Sequence, residues 1–263
     1  MTVTTIPAAI ELRGIRLVNL ALQEALDAID GALAARLPTR IAFVNADCAN
    51  LAARHPDYRD HLAACDWVFV DGSGMRLAGK IMLQPVRDNV NGTDLFPLLC
   101  ERLASQGRRL FLLGARPGVA AATADWARAR FPGLQIAGTR HGYYTPEEEA
   151  DVLAEIRASR TDVVLVAFGA LRQEAWIARH FADSGATVAI GVGGLFDYYS
   201  GRIPRAPLWM RRCGIEWIFR TIQEPGRLWR RYLIGNAMFL WRIGLDRLML
   251  MAHRKPRSKG EMT

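Results

Sequence analysis

The stretch DVVLVAFGALRQEAWIARHFADSGATVAIGVGG, residues 162–194, decides the fold. Two apolar runs, DVVLVAFGA (162–170) and TVAIGVGG (187–194), flank RQEAWIARHFADSG (172–185), which reads as a helix. A strand wetted on one face alternates apolar and polar residues, so continuous apolar runs predict strands covered on both faces. Strand, helix, strand in that order predicts a parallel pair joined by a helical crossover.

The same unit recurs. IAFVN (41–45), WVFVDG (67–72), LFLLGA (110–115) and LQIAG (134–138) read as further buried strands, with helices expected over 117–131 and 146–160. The expected class is α/β, a mainly parallel sheet with helices on both faces. In such sheets ligands bind beyond the carboxyl ends of the strands. The residues just after each apolar run are therefore the candidates for chemistry.

The chain has 263 residues, of which 51% are hydrophobic, enough to build a sizeable core. Four cysteines (Cys48, Cys65, Cys100, Cys213) form no CxxC pair and read as buried reduced thiols of a cytosolic protein. The N-terminus MTVTTIPAAIEL has no basic segment leading into an apolar core, so no signal peptide is expected.

Charge is unevenly spread. Residues 201–263 hold 14 Lys and Arg against 4 Asp and Glu, whereas residues 1–200 hold 20 against 22. Four of the seven tryptophans, Trp209, Trp217, Trp229 and Trp241, share that basic segment. The expected organisation is a core over 1–200, a helical appendage over 201–252 and a basic disordered tail over 253–263. APLWMRRCGIEWIFRTIQ reads as one or two short helices, and Pro225 suits the first turn of another over 226–252. The longest uncharged run there, Tyr232 to Trp241, has ten residues; spanning a bilayer takes about 20. Tryptophan interleaved with arginine predicts a helix lying in an anionic membrane surface. The plainer alternative is an amphipathic helix packed on the core.

Asp71 follows WVFV and precedes a glycine turn, a place suited to a general base; taken alone it also reads as a helix N-cap. Asn45 and Asp47 follow IAFV and could orient a sugar or cap the next helix; NGTD (91–94) offers a turn and a cap, with Thr93 or Asp94 facing the cleft. Arg172 and Gln173 stand where a strand gives way to a helix, whose N-terminus favours anions. Gly191, Gly193 and Gly194 can bring backbone N–H groups close to a diphosphate, and Asp197 can hold a ribose hydroxyl. GVGG is not GxGxxG, so a dinucleotide site is not supported by motif. Arg220, Arg227 and Arg230 fall at roughly helical spacing and suit a leaving diphosphate, with plain surface charge as the alternative. The chain has no DxD, no GxSxG, no P-loop and no ligand spacing among its five histidines; no metal or cofactor is expected.

Together these segments resemble one family, the WecG/TagA/CpsF glycosyltransferases (glycosyltransferase family 26). The matching residues are NAD (45–47), DGSG (71–74), NGTD (91–94), LFLLGARPGVA (110–120), HGYY (141–144), VAFGALRQEAWI (166–177), the block 191–220 and EPGRLWRR (224–231). The resemblance covers about residues 12–245. It implies a Rossmann-like core with a C-terminal appendage that docks on the cytoplasmic face of the inner membrane and completes the site. It also implies metal-independent, inverting transfer from a UDP-sugar to a polyprenyl-diphosphate-linked sugar. Carried over by motif, Asp71 is the base and Gln173 a pocket residue. Asp197 lies on the nucleotide side, and Arg220, Arg227 and Arg230 meet the diphosphate.

Two segments depart from the N-acetylmannosamine-transferring members, which read Thr-x-Asn-Pro-(Asp/Glu) where this chain has Phe43-Val44-Asn45-Ala46-Asp47. They read Arg-Val-x-Gly where this chain has Asn89-Val90-Asn91-Gly92, with Arg87 nearby as a substitute. These departures point to the exopolysaccharide branch and to glucose as donor sugar. The alternative is N-acetylmannosamine, or its uronic acid, in teichoic-acid or enterobacterial-type antigen assembly. From another class, a nucleic-acid-binding module on the basic tail is the rival; no such motif is present and lipid better explains the tail's apolar face. The oligomeric state is left open, a homo-oligomer included.

Overall fold

The computed structural model describes residues 8–253. One eight-stranded sheet runs through it in the order β1-β2-β4-β3-β8-β7-β5-β6. The strands are β1 (Ala9–Leu12), β2 (Ile15–Val18), β3 (Thr39–Val44), β4 (Trp67–Val70), β5 (Arg109–Gly114), β6 (Gln135–Arg140), β7 (Val163–Ala167) and β8 (Val188–Gly191). Every pairing is parallel except the β1–β2 hairpin at one edge. All six strands expected from the apolar runs are present. The hairpin was not foreseen: its turn, Arg13-Gly14, is held by positive φ at both residues, a signal too short to read from one sequence.

Both faces of the sheet are buried, and alternate residues show it. Ile41, Leu110, Leu112, Val163, Leu165 and Ile190 join one core, under α1 (Leu22–Ala35), α5 (Gly92–Ser105), α6 (Val119–Arg130) and α9 (Leu195–Tyr199). Their neighbours Ala42, Val44, Val68 and Val70 face α2 (Ala46–Ala52), α3 (Pro56–Ala63) and α4 (Ser73–Ile81). Phe111, Leu113, Val164, Val166 and Ala189 face α7 (Glu149–Ala158) and α8 (Arg172–Ser184). This two-sided burial is why the strands are continuously apolar.

The C-terminal segment is helical, as expected: α10 (Leu208–Arg212), α11 (Glu216–Gln223), α12 (Pro225–Trp229), a π-helical turn over Arg230–Gly235 and α13 (Asn236–His253). Its last helix packs into the core. Phe239 and Ile243 of α13 are fully buried among residues of α2, α4 and the sheet. Arg13 grips Asp246 at 2.6 Å, and Asn50 donates to the Gly235 carbonyl at 2.8 Å. The outward residues are strongly apolar: Trp209, Ile222, Trp229, Leu233 and Trp241 are all exposed. Among the described residues no helix is long and apolar enough to cross a membrane. The basic tail expected over 253–263 lies, beyond His253, outside the described residues.

All four cysteines are free, but the expectation that all are buried needs correction. Cys48 and Cys100 are buried, Cys65 is partly exposed and Cys213 is exposed on the turn after α10.

Candidate active site

The carboxyl ends of β3, β4, β5, β7 and β8 open into one cleft with two connected chambers. The larger, about 420 Å³, is lined by Phe43, Arg116, Tyr143, Gln173, the turn Gly191–Gly194 and Asp197, among others. The smaller, about 150 Å³, lies between the core and the C-terminal segment, against Asn89, Asn91, Arg211, Glu216, Trp217 and Tyr232. Asn45, Asp47, Asp71, Thr93, Tyr198 and Arg220 border both.

Asp71 stands at this junction. It leaves the end of β4, where its N–H donates to the Val44 carbonyl at 2.9 Å. The N-cap of α4 is Gly72, with φ +93, so the Asp71 carboxylate is not spent on capping. The Asn45 side-chain amide lies 3.5 Å from it. Burial raises its pKa, opposed by the Asn45 hydrogen bond and by the charges of Arg220 and Arg231. A raised carboxylate is a stronger proton acceptor, and guanidinium groups nearby favour its ionised form.

The asparagines mostly build backbone. Asn45 accepts from the N–H groups of Asp47 and Cys48 and so starts α2. Asn89 accepts the Gly72 N–H at 2.5 Å, fixing the loop beside Asp71. Asn91 starts α5 by accepting the Asp94 N–H. Asp94 is turned away: it holds Arg205 at 2.6 Å and borders neither chamber. Arg87 does not substitute in the pocket either, since it is paired with Glu24 at 2.6 Å.

The glycine turn after β8 also differs from expectation. Two of its N–H groups are already used, Val192's by the Val166 carbonyl and Gly193's by the Gln173 side-chain oxygen at 2.9 Å. Neither of these two is free to cradle an anion, so of the expected cradle the Gly194 N–H remains. Positive charge comes from side chains. Arg172 borders the larger chamber over the Phe168 ring, and Arg202 does so while paired with Asp197 at 2.7 Å.

Of the three arginines expected from the C-terminal segment, Arg220 reaches the cleft, stacked 5.0 Å over the Tyr198 ring with a 3.3 Å hydrogen bond to the Tyr232 hydroxyl. Arg230 does not: it is exposed and stacks on Trp229. Its neighbour Arg231 takes that position, paired with Asp47 at 3.0 Å. The backbone leaves helical geometry at Glu224 (φ −129, ψ 62), between α11 and α12, so helical spacing from Arg220 does not carry across to Arg230. The side chain of Arg227 lies outside those described. Tyr198, Arg211, Glu216, Trp217 and Tyr232 were also missed; each is an ordinary residue until the C-terminal helices fold across the strand ends.

The arrangement therefore joins a half-buried carboxylate, several guanidinium groups and two chambers of about 420 and 150 Å³. That is equipment for moving a group away from an anionic leaving group. Comparison with known proteins agrees. Residues 10–253 match the family described as glycosyl transferase WecG/TagA/CpsF. The chain is 34% identical over 193 residues to an N-acetylglucosaminyldiphosphoundecaprenol N-acetyl-beta-D-mannosaminyltransferase of Bacillus spizizenii, covering 73% of this chain and 74% of that protein. It is 32% identical, with the same coverage, to the protein of the same name in Bacillus subtilis. The chain belongs to the WecG/TagA/CpsF family and is a glycosyltransferase of the hexosyl-transferring kind.

Proposed function

We propose that this enzyme transfers N-acetylmannosamine from a UDP-sugar to a sugar carried on a polyprenyl diphosphate, with inversion. The observation that carries the mechanism is the place of Asp71 on the wall shared by both chambers. The larger, arginine-lined chamber suits a nucleotide diphosphate-sugar. The smaller, with Trp217 and Tyr232, suits the acceptor sugar. Asp71 takes the proton of the acceptor hydroxyl as its oxygen attacks the anomeric carbon. The anomeric carbon–oxygen bond breaks on the opposite side, and UDP departs with the electron pair. Arg220 and Arg231 stabilise the charge that develops on it.

Glu216 is the second carboxyl in reach. Burial raises its pKa, with Arg205 and Arg220 opposing. It borders only the smaller chamber, which makes Asp71 the better base.

The relatives' names support N-acetylmannosamine over the glucose of the exopolysaccharide reading. Phe43, which borders the larger chamber, is the residue through which this chain would depart from them. Exposed Trp209, Trp229 and Trp241 support docking on a membrane surface at the cytoplasmic face, where the lipid-linked acceptor lies. The test is a transfer assay with lipid-linked N-acetylglucosamine diphosphate as acceptor, comparing UDP-N-acetylmannosamine, its uronic acid and UDP-glucose, each with and without EDTA. Preferred transfer of glucose would overturn the donor assignment, and loss of turnover in EDTA would overturn metal independence.

A further inference from the structure

A second carboxyl lies behind the larger chamber. Gln173 and Glu174 open α8 and are both almost fully buried, 4% and 2% exposed. The Gln173 side-chain amide donates to Glu174 Oε1 at 2.8 Å, and Gln173 Oε1 accepts the Gly193 N–H at 2.9 Å. A carboxyl, an amide and a backbone N–H thus form one chain of hydrogen bonds that ends in the glycine turn. The amide also lies flat against Gly191, where an added Cβ would stand 2.9 Å from its nitrogen.

We infer that Glu174 is a positioning residue for the nucleotide-sugar site: its carboxyl fixes the orientation of the Gln173 amide, and through it the turn that walls the larger chamber. The inference rests on the assignment of that chamber to the UDP-sugar. The physical reason is directional. The Gly193 N–H needs an oxygen opposite it, so the Gln173 nitrogen must point the other way, into buried space. There Glu174 supplies the acceptor. Without it the nitrogen has no partner, and the flipped amide sets donor against donor at Gly193.

No cationic side chain pairs with Glu174 among the described residues. Its other oxygen is buried without a hydrogen bond, as is the hydroxyl of Tyr58. The groups that face it are Cys48 on α2, Tyr58 on α3 and Cys65 just beyond α3; Arg231, paired with Asp47, reaches Cys48 from the cleft side. Burial pushes the Glu174 carboxyl up to about 7. Burial also raises the two thiols, to about 11 and about 12, and raises the phenol, so none of these three titrates near neutrality.

The test is UDP binding by calorimetry on the full chain. Wild type is measured first; absence of UDP binding there would count against the proposed function, not against Glu174. Glu174→Leu is expected to weaken UDP binding at least tenfold. Glu174→Gln, whose carbonyl oxygen can still accept from Gln173, is expected to stay within threefold. In a Gln173→Leu background, Glu174→Leu is expected to add nothing, because its effect runs through Gln173. Wild-type UDP affinity in Glu174→Leu, or effects that add in the double variant, would overturn the inference. Should Glu174→Leu not fold, the Gly193 amide NMR shift reads the same link. It is expected to follow the titration of the Glu174 carboxyl carbon in wild type and to lose that step in Glu174→Gln. A Gly193 shift that stays flat while the Glu174 carboxyl carbon titrates would overturn it equally.

Discussion

Ser73 donates its hydroxyl hydrogen to the carbonyl oxygen of Gly214, 2.9 Å away across 141 positions of sequence. The loop that carries Asp71 is thereby tied to the turn between α10 and α11. Gly214 sits at φ +72, and a Cβ there would stand 3.2 Å from the Ser73 Cβ. The first prediction is that Gly214→Ala, strained by about 1–2 kcal/mol, lowers kcat while leaving UDP affinity within twofold. Steady-state kinetics beside calorimetry check it; a fall in UDP affinity equal to the fall in kcat would contradict this coupling.

Asp71→Asn keeps shape and removes the proposed proton acceptor. Transfer is expected to fall by about 10²–10⁴ with UDP binding retained. Glu216→Gln is expected to cost much less. Single-turnover transfer with lipid-linked acceptor measures both, and a larger loss in Glu216→Gln would move the base to that residue.

The C-terminal arginines separate geometry from spacing. Arg220→Ala and Arg231→Ala are each expected to reduce kcat/KM by about tenfold or more, in line with about 1.5–3 kcal/mol for a hydrogen bond to a charged group. Arg230→Ala, which leaves the cleft untouched, is expected to stay near wild type. Equal losses at 230 and 231 would mean that the two arginines do not differ in facing the cleft.

Glu174 makes stability depend on pH. Its folded value of about 7 lies above the ordinary 4.5. The unfolded chain therefore gives up this proton at lower pH than the folded one. The stabilisation is complete below about pH 4.5 and is lost as pH rises through 7. Relative to Glu174→Gln, wild type is expected to lose ~3 kcal/mol between those limits. Urea melts at pH 5 and pH 8 for both proteins measure it; a wild type that gains on the variant with rising pH would reverse the assignment.

Phe239 and Trp241 sit two residues apart on α13 and face opposite ways, one buried, the other exposed. Phe239→Ala is expected to destabilise the fold by about 3–5 kcal/mol. Trp241→Ala is expected to leave the melting temperature unchanged and to weaken sedimentation with anionic vesicles. Unchanged vesicle binding would remove Trp241 from the docking face.

The parallel sheet was legible because its evidence is local. Two-sided burial demands continuous apolar runs, and six such runs marked six strands. Asp71, Gln173 and the glycine turn were legible for the same reason, since each stands next to the end of a run. What they do there was not. The caps at Asn45 and Asn91 are local and were legible, whereas the hold of Asn89 on the Gly72 N–H and the use of the Gly193 N–H by Gln173 depend on atoms brought together from separate segments. The choice of Arg231 over Arg230 depends on how the chain turns at Glu224 before α12. A buried carboxyl behind the site depends on three helices packing around it. Sequence alone determined the layers and the strand ends at which chemistry would occur. Only the tertiary structure decided which side chains face the cleft, because the C-terminal helices cross those ends from more than 100 residues away.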